Sequence, residues 1–553
     1  MVNNRSKRTR KTKRSSFRRN LKPSLLLLLL PLLVGGFVIF LIATGIYSRN
    51  LSDLGSKRLV TENWQSAVTS IKKTQPDYAP KFAYYKVKPG QTIESIAAFY
   101  SVNIETLKAM NPGMVVPGTT LKIPPLEAPL APTAGANGLI TQAVVSDDAG
   151  MLRVTNKYGT GQQVVTTIPE LMTFLRPYNA IEQTGPTTYR LLRALSLDGD
   201  IRLDMTKTTL TKLELRSSPK DITCLCLDQG SALIQDVEIT SIDPATGKQD
   251  TSYEDGRSFL RAKNGRMDII NSSITYLGNA LDGLDAGSGI YPSLKEGGVY
   301  GASWRISSDT LGQNIATGWV EKSTFDKNHF GAYTFGASGM MWKSNTFTHN
   351  DIYGLDPHDD SNNATIENNV FAYNGKHGFI VSKRCNYNII RNNVSYDNKY
   401  HGFMLHKDSA YNVIEDNTSF NNMDNFVIYE SNYNTIRNNK SYNPQASHIR
   451  INKPSHNNFV TGNELYGGSR GVYLYEGTSN TLVSGNQIHG VRRQLQTNGA
   501  SNTVFANNTV DAIKYDIGAN DRMVFGENTV DKREYTVIDP TAAARKVNPS
   551  YTK

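Results

Sequence analysis

The chain has 553 residues, of which 39% are hydrophobic and 20% charged. At about 150 residues per domain this allows three or four domains, and the composition supports packed cores rather than disorder. The net charge is +11, but residues 1–22 hold ten Lys and Arg and no acid, so the remaining body is close to neutral, which argues against a nucleic-acid-binding body.

The basic tail, 1–23, precedes an uncharged run from Ser24 to Tyr47. At 1.5 Å per residue this run is long enough to cross a hydrocarbon core of about 30 Å. Pro31 is tolerable in such a helix. The positive charges before it predict a single-pass anchor at the cell membrane, with a cytoplasmic N-terminus and everything beyond Arg49 outside. A cleaved signal peptide is the alternative, but the run is long for one and Ala43-Thr44-Gly45 is a weak cleavage site.

Residues 48–83 read as a polar, irregular spacer. From Tyr84 the chain reads Tyr-Tyr-Lys-Val-Lys-Pro-Gly-Gln-Thr-Ile, then places Ile93, Ile96, Ala97 and Tyr100 on one helical face. Asn103 is positioned to cap a second helix that ends at Asn111-Pro112, and Pro117-Gly118 turns into a short strand through Leu121 and Ile123. Residues 84–125 thus form a βααβ unit. The pieces Tyr-x-Val-x-x-Gly-x-Thr, Ile-Ala, Leu-x-x-x-Asn and Pro-Gly-x-x-Leu-x-Ile-Pro resemble a LysM domain. That resemblance implies binding to N-acetylglucosamine-containing glycans, chiefly peptidoglycan or chitin, with peptidoglycan the expected one just outside a membrane. The Pro/Ala/Gly stretch 126–138 reads as a linker.

Residues 139–535 lack long amphipathic helices. Asn recurs at 345, 369, 393, 417, 439, 463, 486, 508 and 528, with spacings of 20 to 24 residues. Short alternating strands within such a period predict a right-handed parallel β-helix, and the Leu ladder of leucine-rich repeats is missing. The fold class is therefore all-β: a solenoid preceded by a small βααβ module and one transmembrane helix. Asn suits a turn because it tolerates a left-handed backbone, and stacked amides can bond to one another. These Asn residues are accordingly structural. The tail 536–553 carries no signal beyond a cap or a frayed end. Three cysteines, Cys224, Cys226 and Cys385, are too few for a disulfide scaffold, and Cys-Leu-Cys is too tight for a zinc knuckle.

One coil breaks the pattern: Tyr353-Gly354-Leu355-Asp356-Pro357-His358-Asp359. Pro removes a ladder donor, so its place in a strand is unusual. The next coils carry His377 with Lys383 and Arg384, then His401 with His406 and Lys407. Coils stack at about 4.8 Å, so residues 24 apart become neighbours. A face of His, Lys and Arg would suit an acidic polymer lying along the groove.

These motifs, with Arg257-Ser258-Phe259-Leu260, Thr317-Gly318-Trp319 and His377-Gly378-Phe379-Ile380-Val381-Ser382, resemble the mannuronan C5-epimerases. The resemblance covers roughly 255–440. It implies conversion of β-D-mannuronate to α-L-guluronate within an alginate-like polymer, by removal and return of the C5 proton. It implies that His358 is the base, Tyr353 a candidate proton donor or second proton carrier, with a structured water as the alternative, and Asp356 a group that orients His358 or contacts the carboxylate. The neutralising cation falls at Lys383, with Arg384 adjacent, where the family has Arg. His377, His401, Lys407, Lys343 and Asp359 are candidates for binding along the polymer. No cofactor or metal is implied; calcium is conceivable from the carboxylates, but no Asp-x-Asp-x-Asp-Gly loop is present. The rival readings are a polyuronate lyase, which shares the deprotonation and then expels the 4-O substituent, and a non-catalytic, wall-tethered glycan-binding protein. The expected partners are the acidic polysaccharide, peptidoglycan and the membrane.

Overall fold

The computed structural model describes residues 60–76, 78, 82–133, 142–148, 150–157, 163–218, 222–254, 256–280 and 300–553, with backbone alone at 49–50. The expected anchor and basic tail lie outside the described residues. Among the described residues no helix is long and apolar enough to cross a membrane.

Among the described residues the body is a parallel β-helix of three sheets with 16, 14 and 16 strands. Each coil gives one short strand to each sheet, and the next coil lies directly on it. The inner residues of one sheet show why the coils stay in register. Ile366, Ile390, Ile414, Ile436, Val460, Val483 and Phe505 lie one above another, all fully buried. A slip by one residue would turn this column out to solvent. Trp304 and Trp342 fill the core where the coils that carry the site begin.

The Asn ladder runs as the spacing predicts. Asn369 donates from Nδ2 to Asn393 Oδ1 at 2.9 Å, and its backbone N–H donates to the same oxygen at 2.8 Å. Asn393 repeats both bonds to Asn417. A second ladder, Asn350, Asn374, Asn398 and Asn422, runs at another corner. One detail differs from expectation. The left-handed residue is the one before the ladder Asn, as at Asn368 (φ 58°), Asn392 (φ 54°) and Asp416 (φ 55°). The ladder Asn is selected for its amide, which links coils, not for its backbone. Asn393→Ala leaves two buried donors of Asn369 without an acceptor and is expected to cost about 2–4 kcal/mol, read as a fall in the urea midpoint.

Three segments that read as featureless are docked on the solenoid. In the spacer, Trp64–Lys72 is a helix. Its stripe of Trp64, Ala67, Val68 and Ile71 packs on Phe459, Leu482 and Val504 near the C-terminal coils. The linker is pinned rather than loose. Arg202 and Asp204, and Arg266 and Asp268, are buried ion pairs on the outer face of a sheet. Asp268 accepts from the Leu130 N–H at 2.7 Å, Asp204 from Thr133, and Arg266 donates to the Ala128 carbonyl. The C-terminal tail forms a helix, Pro540–Val547, capped by Asp539. Ala544 and Tyr551 close over Val370, Val394 and Phe420 on the third sheet. Cys224 and Cys226 share one face of a strand and form a disulfide, which the sequence did not suggest.

The βααβ module has the expected elements: strand Ala83–Lys86, helices Ile93–Tyr100 and Ile104–Met110, and strand Thr120–Ile123. Thr92 and Asn103 cap the two helices. The module is seated on the solenoid. Ile315 and Trp319 join its core, Lys88 donates to Gln229 at 2.8 Å, and Arg266 donates to the Phe99 carbonyl.

Candidate active site

The breaking coil lies in the middle of the 16-stranded sheet that begins near Ala143. In the strand Leu355–His358, Leu355 points into the core, so Asp356 and His358 share the outer face. Pairing to the next strand is made at Leu355↔Phe379 and His358↔Ser382, with the two positions between unpaired. Pro357 explains the gap, since it has no N–H to offer. The glycines flanking these strands allow close approach. A Cβ at Gly354 would stand 2.5 Å from the Gly378 carbonyl oxygen, and one at Gly378 would stand 2.4 Å from Ser395 Oγ.

His358 is held by Asp359, whose carboxylate Oδ2 accepts from Nδ1. That bond leaves Nε2 with the lone pair, as a base requires. Burial lowers the His358 pKa from its ordinary 6.5, against the opposing effect of Asp359. Asp356 does not orient His358. It is 2% exposed, its Oδ1 has no hydrogen-bond partner, and burial together with Asp359 pushes its carboxyl well above the ordinary 3.8. Asp356 is therefore a buried carboxyl on the outer face of this strand, pushed toward its protonated form by burial and by Asp359. Asp359, read from sequence as a binding residue, is the orienting group.

On the other rim stand Tyr353, His377 and His401, one per coil. Tyr353 stacks on His377 with centroids 5.0 Å apart, and His377 on His401 at 4.8 Å. Burial raises the Tyr353 hydroxyl to about 12, so it stays protonated. Burial also lowers His377 to about 3 and His401 to about 2. With these values the two rings are neutral and offer stacking and hydrogen bonds. Their tautomers follow from their partners. His377 Nδ1 accepts from the His401 backbone N–H at 3.2 Å. His401 Nε2 accepts from Arg450 Nη2 at 2.9 Å, which turns its Nδ1 toward Asp424, 3.3 Å away.

The two candidate cations are not equivalent. Arg384 is committed: Nη2 bonds Asp360 at 2.8 Å and Asp359 at 3.0 Å, and Nε bonds Asp360 at 3.1 Å. These bonds raise its pKa above the ordinary value. Lys383 has one long ion pair, 3.9 Å to Asp359, and keeps a half-exposed side chain. Its charge acts on both Asp356 and His358. Lys407 occupies the same turn one coil further, where the Lys383 N–H donates to the His406 carbonyl. Lys343 is not brought here. It lies on a different sheet, 4.0 Å from Glu367.

Several groups on this face were not singled out from sequence. His406 lies on the column of His358 and Ser382, and its Nδ1 is 2.8 Å from Ser382 Oγ. The 24-residue period from His358 was the available signal. Tyr333 pairs with Asp356 in register, stacks on Tyr300 at 3.5 Å, and lies 5.5 Å from the His358 ring. Ile380, Met404 and Val427 form an apolar floor toward the C-terminal coils. Among the described residues no group of three His, Cys, Asp or Glu side chains is arranged to hold a metal.

A family described as "Right handed beta helix region" matches residues 300–419 and 414–541, and the LysM domain family matches 85–124. A mannuronan C5-epimerase of Pseudomonas aeruginosa is 28% identical over 197 residues, covering 34% of this chain and 33% of that protein. The mannuronan C5-epimerase AlgG of Azotobacter vinelandii is 42% identical over 50 residues, covering 9% of this chain and 10% of that protein. The chain thus matches a third or less of the length of these relatives. Among solved structures, the periplasmic alginate epimerase AlgG is similar, with a TM-score of 0.54 at 16% identity, over 85% of this chain and 98% of that one. At that identity the likeness is one of fold. The chain carries a right-handed parallel β-helix and a LysM domain.

Proposed function

We propose that this chain is a polysaccharide C5-epimerase acting on mannuronate in an alginate-like polymer. The observation that carries the proposal is that Tyr353 and His358 stand at opposite ends of the strand Leu355–His358, with the buried carboxyl of Asp356 between them. The similarity to mannuronan C5-epimerases supports the same reading. An epimerase must remove a proton from one face of C5 and return one to the other.

In the reaction His358 Nε2 takes the C5 proton, and the C–H electron pair moves into the C5–C6 system. Lys383 and the Asp356 hydroxyl lie where they can stabilise the charge that develops on the C6 carboxylate. Tyr353 then gives its proton to C5 from the opposite face. His358 and Tyr353 return to their starting states by exchange with water. The C4–O4 bond is untouched, so the polymer keeps its length.

The test is proton NMR of polymannuronate incubated with the protein, with ultraviolet absorbance of the same tube. New guluronate anomeric signals without an unsaturated chromophore are expected. A rising chromophore with falling chain length would replace the proposal with the lyase. The rate is expected to climb as pH rises through the lowered His358 value and to fall as the raised Asp356 carboxyl ionises. Asp356→Asn cannot ionise and is expected to lose most of the descending limb while keeping the ascending one. A descending limb unchanged in Asp356→Asn would remove Asp356 from the mechanism.

The setting is part of the proposal: residues 24–47 as a membrane anchor, the groove outside the membrane, and the LysM domain on peptidoglycan. Retention of the chain in the membrane fraction through an alkaline wash checks the anchor.

A further inference from the structure

The chain enters the solenoid at its last coil. Arg49 and Asn50 pair antiparallel with Ile517 and Asp516, on the strand that ends the sheet carrying Leu355–His358. Thr61 makes a second tie there. Its N–H donates to the Phe525 carbonyl at 2.6 Å, and the Phe525 N–H donates to Thr61 Oγ1 at 3.0 Å. The helix Trp64–Lys72 then packs on Phe459, Leu482 and Val504, in the coils next to that end. The end of a stack of strands exposes unpaired backbone groups, and this segment covers part of them.

From there the chain runs back along the stack. The Tyr78 hydroxyl shares a hydrogen bond with Thr435 Oγ1, one coil beyond Phe459. Lys86, in the first strand of the LysM domain, donates its N–H to the Gln313 carbonyl at 3.0 Å. The module is seated on Gln229, Arg266 and Trp319, all on the far side of the His358 coil from the last coil. The order along the axis is therefore last coil, His358 coil, LysM domain. Seven strand spacings separate the strand of His358 from that of Ile517, about 34 Å at about 4.8 Å each.

We propose that the C-terminal end of the solenoid is the surface that faces the lipid bilayer, with the coils stacked away from it and the groove running outward. The proposal rests on reading residues 24–47 as the anchor. That run ends at Tyr47, two residues before Arg49, so at most about 7 Å of chain separates it from the last coil. The docked segment holds the catalytic coil clear of the bilayer. It also carries the LysM domain, which precedes every coil in sequence, past the catalytic coil to the outer side.

The test reconstitutes the full-length chain in vesicles of phosphatidylcholine and phosphatidylglycerol with an energy-transfer acceptor on the headgroups. A single fluorophore is placed on one of three exposed positions: Asn520→Cys in the last turn, Lys399→Cys near the middle, or Thr184→Cys at the first coils. Cys385 is buried and Cys224 is bonded to Cys226, so the introduced thiol takes the label. Transfer is expected to be strongest from Asn520→Cys, about threefold weaker from Lys399→Cys, which the stack holds about 24 Å higher, and near background from Thr184→Cys. Equal transfer from all three would mean that the solenoid lies along the bilayer, and stronger transfer from Thr184→Cys would mean that it stands the other way up. Either result overturns the proposal. Vesicle flotation, measured on the same samples, separates the two readings. A chain that does not float with the vesicles removes the anchor and the proposal together; a chain that floats with a flat or inverted gradient keeps the anchor and overturns the orientation alone.

Discussion

His358→Gln is expected to lower guluronate formation by about 10³-fold or more, with polymer binding nearly unchanged. Glutamine keeps a polar side chain of similar reach but has no lone pair basic enough to take a C–H proton. The dyad with Asp359 sharpens the test. Asp359→Asn would let the imidazole adopt the other tautomer, with hydrogen on Nε2, and should cost about 10²-fold while leaving the ring in place. Single-turnover NMR of polymannuronate in deuterated water separates the two cases, because C5 deuterium enters only after proton removal. Deuterium incorporation at the native rate in His358→Gln would assign the base to another group.

The second large effect separates the two adjacent cations. Lys383→Met is expected to reduce turnover by about 10²–10³-fold, the cost of losing one charged group from a developing oxyanion. Lys383→Arg should retain most activity, because the position needs charge more than a particular shape. Arg384→Met removes a different thing. Its guanidinium is bonded to Asp359 and Asp360, so its loss frees the carboxylate that holds His358. A smaller loss of turnover is expected there, with an altered ascending limb of the pH profile. Equal losses in Lys383→Met and Arg384→Met, with unchanged pH profiles, would mean that the two cations act on substrate together.

The solenoid was legible because its physics repeats. A 24-residue period with Asn in constant phase can only mean coils stacked through shared amides, and the ladder from Asn345 to Asn528 follows it. The Asp-Pro-His interruption was legible for the opposite reason: proline in a strand is a local cost that needs a purpose. Less legible were effects that depend on the surroundings of a side chain. As ordinary imidazoles His377 and His401 would gain charge in weak acid, and only burial between neighbouring coils lowers them to about 3 and about 2. Asp356 and Asp359 look interchangeable, and strand alternation sends one to the groove floor and the other to the turn beside His358. The helix at Trp64–Lys72 was readable from Trp64, Ala67, Val68 and Ile71, but its short stripe was hidden in a polar stretch.

By itself, the sequence determined the parallel β-helix, the LysM module and the coil where chemistry is expected, because each rests on local spacing and residue type. Tertiary structure decided the rest. It assigned Arg384 to Asp359 and Asp360, left Lys383 with one long ion pair to Asp359, carried Lys343 to another sheet and seated the LysM module beside the turn at Asp360. Those outcomes depend on register between coils and on burial by distant segments, and neither is encoded in any short run of residues.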